Sequence, residues 1–199
     1  PEMPDIEYEW NNTNVDILVK NKGNQDMAIK EILYFFKKMN IPNLGEGNIK
    51  KFYNSGFTSV ESIIQATVTD FLKIDGVKQK SANKIYKGIH DKLRSTDLAL
   101  LMAASNVFGH SFGYERAKLI LEKYPNILIE YKSFTKNQLL ENIISIPSFE
   151  EKMALQFIDY IDDFNKYLGT IKKYITLKKE KKLIIIGTKF KNKIIVFSK

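Results

Sequence analysis

The chain's 199 residues suffice for one or two domains, and with 44% hydrophobic and 12% aromatic side chains it can fill a core. The absence of cysteine excludes a disulfide framework and any thiolate zinc site, and two histidines, His90 and His110, are too few to build a metal site alone. A net charge of +8 points to an anionic partner, while an acidic leader and the lack of any apolar run near the ~20 residues of a membrane span predict an intracellular protein, cytoplasmic or nuclear, neither secreted nor membrane-bound.

Charge is unevenly spread along the chain. Residues 1–26 sum to −4, 27–96 to +6, 97–171 to −3 and 172–199 to +9. An anion is therefore expected first on the block 27–96.

In chain order, Val15, Ile17 and Val19 alternate with polar residues and predict a short strand after the acidic leader. Ile29, Ile32, Leu33, Phe36 and Met39 recur at helical spacing behind Asp26, predicting a helix over 27–39. Thr58 with Glu61, Thr67 with Asp70, and Thr135 with Gln138 have the spacing of capping boxes. Further helices are predicted over 81–93, 98–107, 114–124 and, as one long element, 150–168. The β-branched runs 183–186 and 194–197 predict two strands, too little sheet to stand alone, so the chain reads as cut inside a following domain.

Between these helices one short pattern recurs four times: Ile41-Pro42-Asn43-Leu44-Gly45, Ile74-Asp75-Gly76-Val77-Lys78, Gly109-His110-Ser111-Phe112-Gly113 and Ile146-Pro147-Ser148-Phe149-Glu150. The central apolar residues, Leu44, Val77, Phe112 and Phe149, are 33, 35 and 37 positions apart. A near-constant period is the mark of a repeated supersecondary unit. The fold class expected is mainly α: tandem helix-hairpin-helix, four motifs in two paired domains, with short β segments at both ends. Its boundaries are a linker and strand over 1–26, a first hairpin pair over 27–96, a second over 97–168, and a basic linker with the start of another domain over 169–199.

Such a turn places small residues around an apolar plug, and the amides opening the second helix face outward at its positive end. An anion is then held by backbone rather than by sequence readout. Candidate phosphate-holding residues are Asn43, Gly45, Gly47, Lys50 and Lys51 at the first turn, Gly76, Lys78, Lys80 and Ser81 at the second, and Gly113 and Arg116 at the third. The fourth turn carries Glu150 and Glu151 where a phosphate would sit, so it is expected to be structural. Lys73-Ile74-Asp75-Gly76 matches the K-x-D-G motif of adenylating lysines, but the same residues lead into the second turn, which accounts for Gly76 without chemistry. Asp159, Asp162 and Asp163 read as a solvated helix face rather than a metal cluster.

The stretch 32–89, with its IPNLGEG and FLKIDGVKQKSA, resembles the helix-hairpin-helix domain of NAD-dependent DNA ligases. LLMAASNVFGHSFGYERAKLILEKYP, at 100–125, is similar to the version in large DNA viruses. Tyr8-Glu9-Trp10-Asn11 resembles the segment that joins the oligonucleotide-binding barrel to these hairpins, and Lys193-Ile194-Ile195-Val196-Phe197-Ser198 the first strand of the terminal BRCT domain. Bacterial members carry a four-cysteine zinc module, and its absence here favours the viral type. The resemblance implies nicked double-stranded DNA as partner, together with the remainder of a ligase chain, in replication or repair. The adenylation domain, where NAD and Mg are expected, is not among these residues, so no cofactor and no independent catalysis are expected of this chain. Two other readings of the same hairpins are a non-catalytic scaffold and a structure-specific nuclease partner.

Overall fold

The computed structural model describes residues 8–10, 17–19 and 25–177. Two three-residue strands, β1 (Tyr8–Trp10) and β2 (Ile17–Val19), pair antiparallel with Glu9 opposite Leu18. Among the described residues all other regular elements are helices. The expected strands over 183–186 and 194–197, and the BRCT-like segment, lie outside the described residues.

Each hairpin joins two helices. The first links α1 (Gln25–Lys38) to α2 (Glu46–Asn54); α3 (Val60–Gln65) then connects to the second, which links α4 (Val68–Leu72) to α5 (Gln79–Leu93). The third links α6 (Leu98–Ser105) to α7 (Tyr114–Lys123). After the short α8 (Ile127–Glu130), the fourth links α9 (Lys136–Ile144) to α10 (Glu151–Asp159), and α11 (Ile161–Ile171) follows. The tandem helix-hairpin-helix fold is the one the four-fold repeat predicts.

Local chemistry fixes most boundaries. Thr67 and Asp70 form a reciprocal capping box at α4, and Thr135 and Gln138 another at α9. The box expected from Thr58 and Glu61 instead uses Ser59 and Ser62, whose hydroxyls exchange bonds with each other's backbone amides at 3.1 Å. Moving the cap one residue on lets Ile63 and Ile64 both reach the core, where they are fully buried.

The single helix expected over 150–168 is two helices, broken at Tyr160 (φ −106°, ψ 7°). Ala154, Phe157, Ile161 and Phe164 keep helical spacing through the break, so periodicity conceals it. Asp162 and Asp163 in the first turn of α11 favour a new helix start, since carboxylates complement the positive end of its dipole. The break lets α10 pack on α9 while α11 packs on α3 and α6.

α11 also runs past the expected end at 168. Ile171 is fully buried, the Thr176 amide donates to the Leu93 carbonyl at 3.0 Å, and Thr96 bridges to Leu177 in parallel register. Residues 169–177 are therefore packed structure rather than linker. The two hairpin pairs share one continuous core, in which α1 packs on α6 and Phe35 of α1 meets Tyr167 of α11 edge-on at 6.4 Å. In the second pair, the Phe108 ring lies 4.8, 5.1 and 5.3 Å from those of Phe112, Phe157 and Phe164. Burying each such side chain contributes about 1.5–3 kcal/mol, so this cluster anchors the second pair. No helix among the described residues is long and apolar enough to cross a membrane.

Candidate nucleic-acid interface

Three of the four turns place a left-handed residue two positions before the N-cap of the second helix: Asn43 (φ 65°), Gly76 (φ 75°) and Ser148 (φ 72°). Pro42 and Pro147 precede two of them, the pairing a type II turn prefers. The plug follows at once: Leu44 and Phe149 are buried and Val77 is half-buried. The turn closes where the Val77 amide donates to Ile74 C=O at 3.0 Å and the Phe149 amide to Ile146 C=O at 3.2 Å. In the third turn the left-handed residue is Gly109 (φ 83°), and Phe112 closes the turn on its carbonyl at 3.0 Å. Gly113 there is extended backbone (φ −85°, ψ 179°), so its value is not conformational freedom.

Every plug delivers the chain to an open helix start. Gly45, Lys78, Gly113 and Glu150 are the N-caps of α2, α5, α7 and α10, and none offers a side-chain acceptor to its helix. By contrast α3, α4, α6 and α9, which begin elsewhere in the repeat, are capped by Ser59, Thr67, Asp97 and Thr135. α8 and α11, which follow their preceding elements almost without a turn, also start without a side-chain cap. First-turn amides have no intrahelical partner, so the uncapped hairpin starts are the natural anion sites. A β-carbon on Gly45, Gly47 or Gly113 would meet nothing within 4 Å. The fold does not require glycine at these three positions, and their backbone is open to an incoming group.

The predicted residues divide by position. Asn43, Gly45, Gly47, Lys50, Lys51, Gly76, Lys78 and Lys80 are all exposed on the first pair. Two hairpins meet there, because Lys51 Nζ of α2 lies 3.1 Å from where a β-carbon on Gly76 would stand. Gly113 and Arg116 belong to the second pair, and no hydrogen bond or ion pair among the described residues joins them to the first.

Several side chains are already engaged. Lys50 pairs with Glu46 at 2.8 Å, which holds the Glu46 carboxyl below its usual pKa and lifts the Lys50 ammonium above its own. The Ser81 hydroxyl accepts from the Lys78 amide at 3.0 Å and donates to the Lys78 carbonyl at 2.8 Å, so its proton is committed within the turn. Arg116 donates to the Ser111 carbonyl, bracing the third turn from inside. Lys78 and Lys80 are exposed and, among the described residues, form no ion pair. With Lys51, which is likewise exposed and forms no ion pair among the described residues, they are the predicted lysines available to an external anion.

Three contributors are not evident from the sequence. Asn48 donates to the Asn43 carbonyl at 2.8 Å and closes the first turn, Gln156 stands against Gly109, and His110 meets Tyr34 edge-on at 5.4 Å. Only the Asn48 bond, five residues from its partner, is within reach of local pattern. The three carboxylates of the acidic helices are separately tied, Asp159 to Lys136 at 2.6 Å, Asp162 to Tyr131 and Lys132, and Asp163 to Lys166 at 3.3 Å. Lys73 bonds Asp70 at 2.9 Å, and Ile74 is buried beneath the second turn.

Four plugged turns, each opening an uncapped helix, define a tandem helix-hairpin-helix module. Residues 39–91, which lie within the first pair and begin just after α1, match the family model described as a SAM-like helix-hairpin-helix tandem. The whole chain is similar to a DNA ligase of Acanthamoeba polyphaga mimivirus, 33% identical over 199 residues, which are all of this chain and 31% of that protein. A relative from Invertebrate iridescent virus 6 is 31% identical over 150 residues, 75% of this chain and 23% of its own. A DNA ligase of Campylobacter jejuni subsp. doylei is 25% identical over 187 residues, covering 86% of this chain and 27% of the relative. The likeness to DNA ligases thus runs through both hairpin pairs, and the chain spans under a third of each of these relatives.

Proposed function

We propose that this chain grips double-stranded DNA by its backbone as the helix-hairpin-helix region of a DNA ligase. The observation that carries this reading is the contrast in helix starts: the second helix of every hairpin lacks a side-chain cap, whereas α3, α4, α6 and α9 have one. The first pair contributes most, since it combines exposed Gly45 and Gly47 with the exposed cations Lys78 and Lys80. Amide and lysine contacts to phosphate position a protein without reading bases. The preferred substrate is nicked duplex, held while an adenylation domain elsewhere in the ligase, using NAD and Mg, carries out sealing in replication or repair. This chain supplies the grip and not the chemistry.

The test is a salt-titrated binding assay on nicked and intact duplexes with Lys78→Glu/Lys80→Glu. Binding should weaken about equally for all sequences, and the slope of log affinity against log salt should fall by about one for each phosphate no longer neutralised. Unchanged affinity and slope would overturn the reading. Preference for branched over nicked DNA would favour a nuclease partner, and the absence of any salt-dependent binding a scaffold.

A further inference from the structure

The second helices of the four hairpins differ in the charge at their starts. α2, α7 and α10 carry Glu46, Glu115 and Glu151 in the first turn, where a carboxylate complements the helix dipole and opposes an incoming anion. α5 has no acid in its first turn and has Lys80 there instead. A lysine at the positive end of a helix is set against the dipole, so the resting fold gains nothing from it.

The same bias continues along α5. Lys80, Lys84 and Lys87 stand at i, i+4 and i+7, which places them on one face of the helix, and all three are exposed. That face lies opposite the one through which Ala82, Ile85, Ile89 and Leu93 enter the core. Among the described residues none of the three lysines forms an ion pair. Other helix lysines are neutralised by an acid three or four positions away, as Lys50 is by Glu46, Lys118 by Glu122 and Lys166 by Asp163. Like charges at this spacing repel, so the ridge lowers the stability of the resting fold. The nearest acids in sequence, Asp75 and Asp91, stand before the turn and beyond the last lysine, and no carboxylate interrupts the row between them.

The ridge starts at the second turn, where the Lys51 ammonium of α2 stands over Gly76 and Lys78 is exposed. Lys80 to Lys87 spans about 10 Å along the helix, the axial rise of roughly three phosphates of one strand. We propose that Lys84 and Lys87 extend the grip of the second hairpin, so that one strand of the duplex leaves the turn and follows the outer face of α5. The partner is a phosphate backbone, whose regular anionic spacing matches an uninterrupted row of ammonium groups. The assignment rests on the DNA-gripping reading of the chain and ranks its hairpins: the second holds the strand most firmly, since first-turn glutamates weaken the hold of the others.

The test measures binding of the full chain to nicked duplex across a salt titration for Lys84→Gln/Lys87→Gln, with thermal unfolding alongside. Affinity at about 0.15 M salt should fall roughly tenfold or more, and the slope of log affinity against log salt should drop by about two. The unfolding midpoint should hold or rise, because the substitutions relieve like-charge repulsion. Lys136→Gln/Lys166→Gln removes the same charge from two lysines paired with Asp159 and Asp163, and it should leave affinity and slope nearly unchanged. Unchanged binding in Lys84→Gln/Lys87→Gln beside a loss in Lys78→Glu/Lys80→Glu would overturn the ridge and leave the grip standing, whereas no effect of either pair would sink both. An equal loss in the control pair, or a fall in midpoint that accounts for the fall in affinity, would also overturn it.

Discussion

The side-chain amide of Gln156 in α10 occupies the space that a β-carbon on residue 109 would need, so the third turn and the second helix of the fourth hairpin are fitted to each other through a glycine. The first pair has a counterpart, with Lys51 of α2 against Gly76. Lys51 and Gln156 each stand ten residues beyond the isoleucine that opens their own turn, Ile41 and Ile146. Each hairpin pair is therefore locked by the second helix of one motif reaching the turn of its mate.

Replacing Gly109 with Ala should destabilise the chain by about 1–2 kcal/mol from the left-handed backbone alone, with the Gln156 collision adding to it. Adding Gln156→Ala should recover the steric part and leave the backbone part. Denaturant midpoints of the two singles and the double measure both, and strict additivity would refute the contact.

Ser148 and Asn43 hold left-handed geometry with side chains attached. Ser148→Gly should raise stability by about 0.5–1 kcal/mol, because relief of the strained backbone outweighs the added chain entropy. Asn43→Gly should gain less, since asparagine tolerates this region better than serine. Chemical denaturation with unchanged m-values checks the ranking.

Gly45→Ala and Gly113→Ala separate folding from binding. Both positions are extended N-caps with open space around a new methyl, so the methyl clashes with nothing and losing glycine from the cap should cost about 1 kcal/mol or less. With phosphate held close to these amides, duplex affinity measured well below the melting temperature should fall severalfold, more than so small a loss of stability accounts for. Unchanged affinity with only the small drop in melting temperature would place the residues in the fold's service instead.

His90 predicts a pH dependence. It is buried against the rings of Tyr86 at 4.2 Å and Tyr174 at 5.6 Å, and burial, then Arg94, lowers its pKa from 6.5 against the opposing pull of Asp91. In the unfolded chain the imidazole binds its proton first as pH falls, so its contribution is complete above 6.5 and declines below that value until the folded form protonates too. Urea unfolding at about pH 7.5 and pH 5.5 should show a loss that His90→Phe reduces.

The fold is legible in the sequence because the plugs Leu44, Val77, Phe112 and Phe149 repeat at 33, 35 and 37 positions, and a tight turn between helices leaves few residue types suitable for them. The capping boxes at Thr67 and Thr135 are readable for the same local reason. What escapes a local reading depends on distant partners. The break at Tyr160 serves packing on α3 and α6, and the left-handed role of Gly109 is set by how the third turn closes. Of the site, composition and turn position identify the exposed lysines and glycines. Composition does not reveal that Lys50, Ser81 and Arg116 spend their donors on Glu46, the Lys78 carbonyl and Ser111, because each choice rests on rotamers within one turn.

Leaving α2, α5, α7 and α10 without side-chain caps has a thermodynamic consequence. An Asp or Ser would add about 1 kcal/mol to the resting molecule at residue 78 or 150 and a few tenths at 45 or 113, where glycine already stands, and it would also plug the spot with the protein's own oxygen. The unliganded chain is thus less stable than its architecture permits, and an anion bound at these helix ends would make up the difference. Whatever anion settles on these helix ends should be felt throughout the shared core as a higher melting point, so occupancy can be read from heat resistance alone.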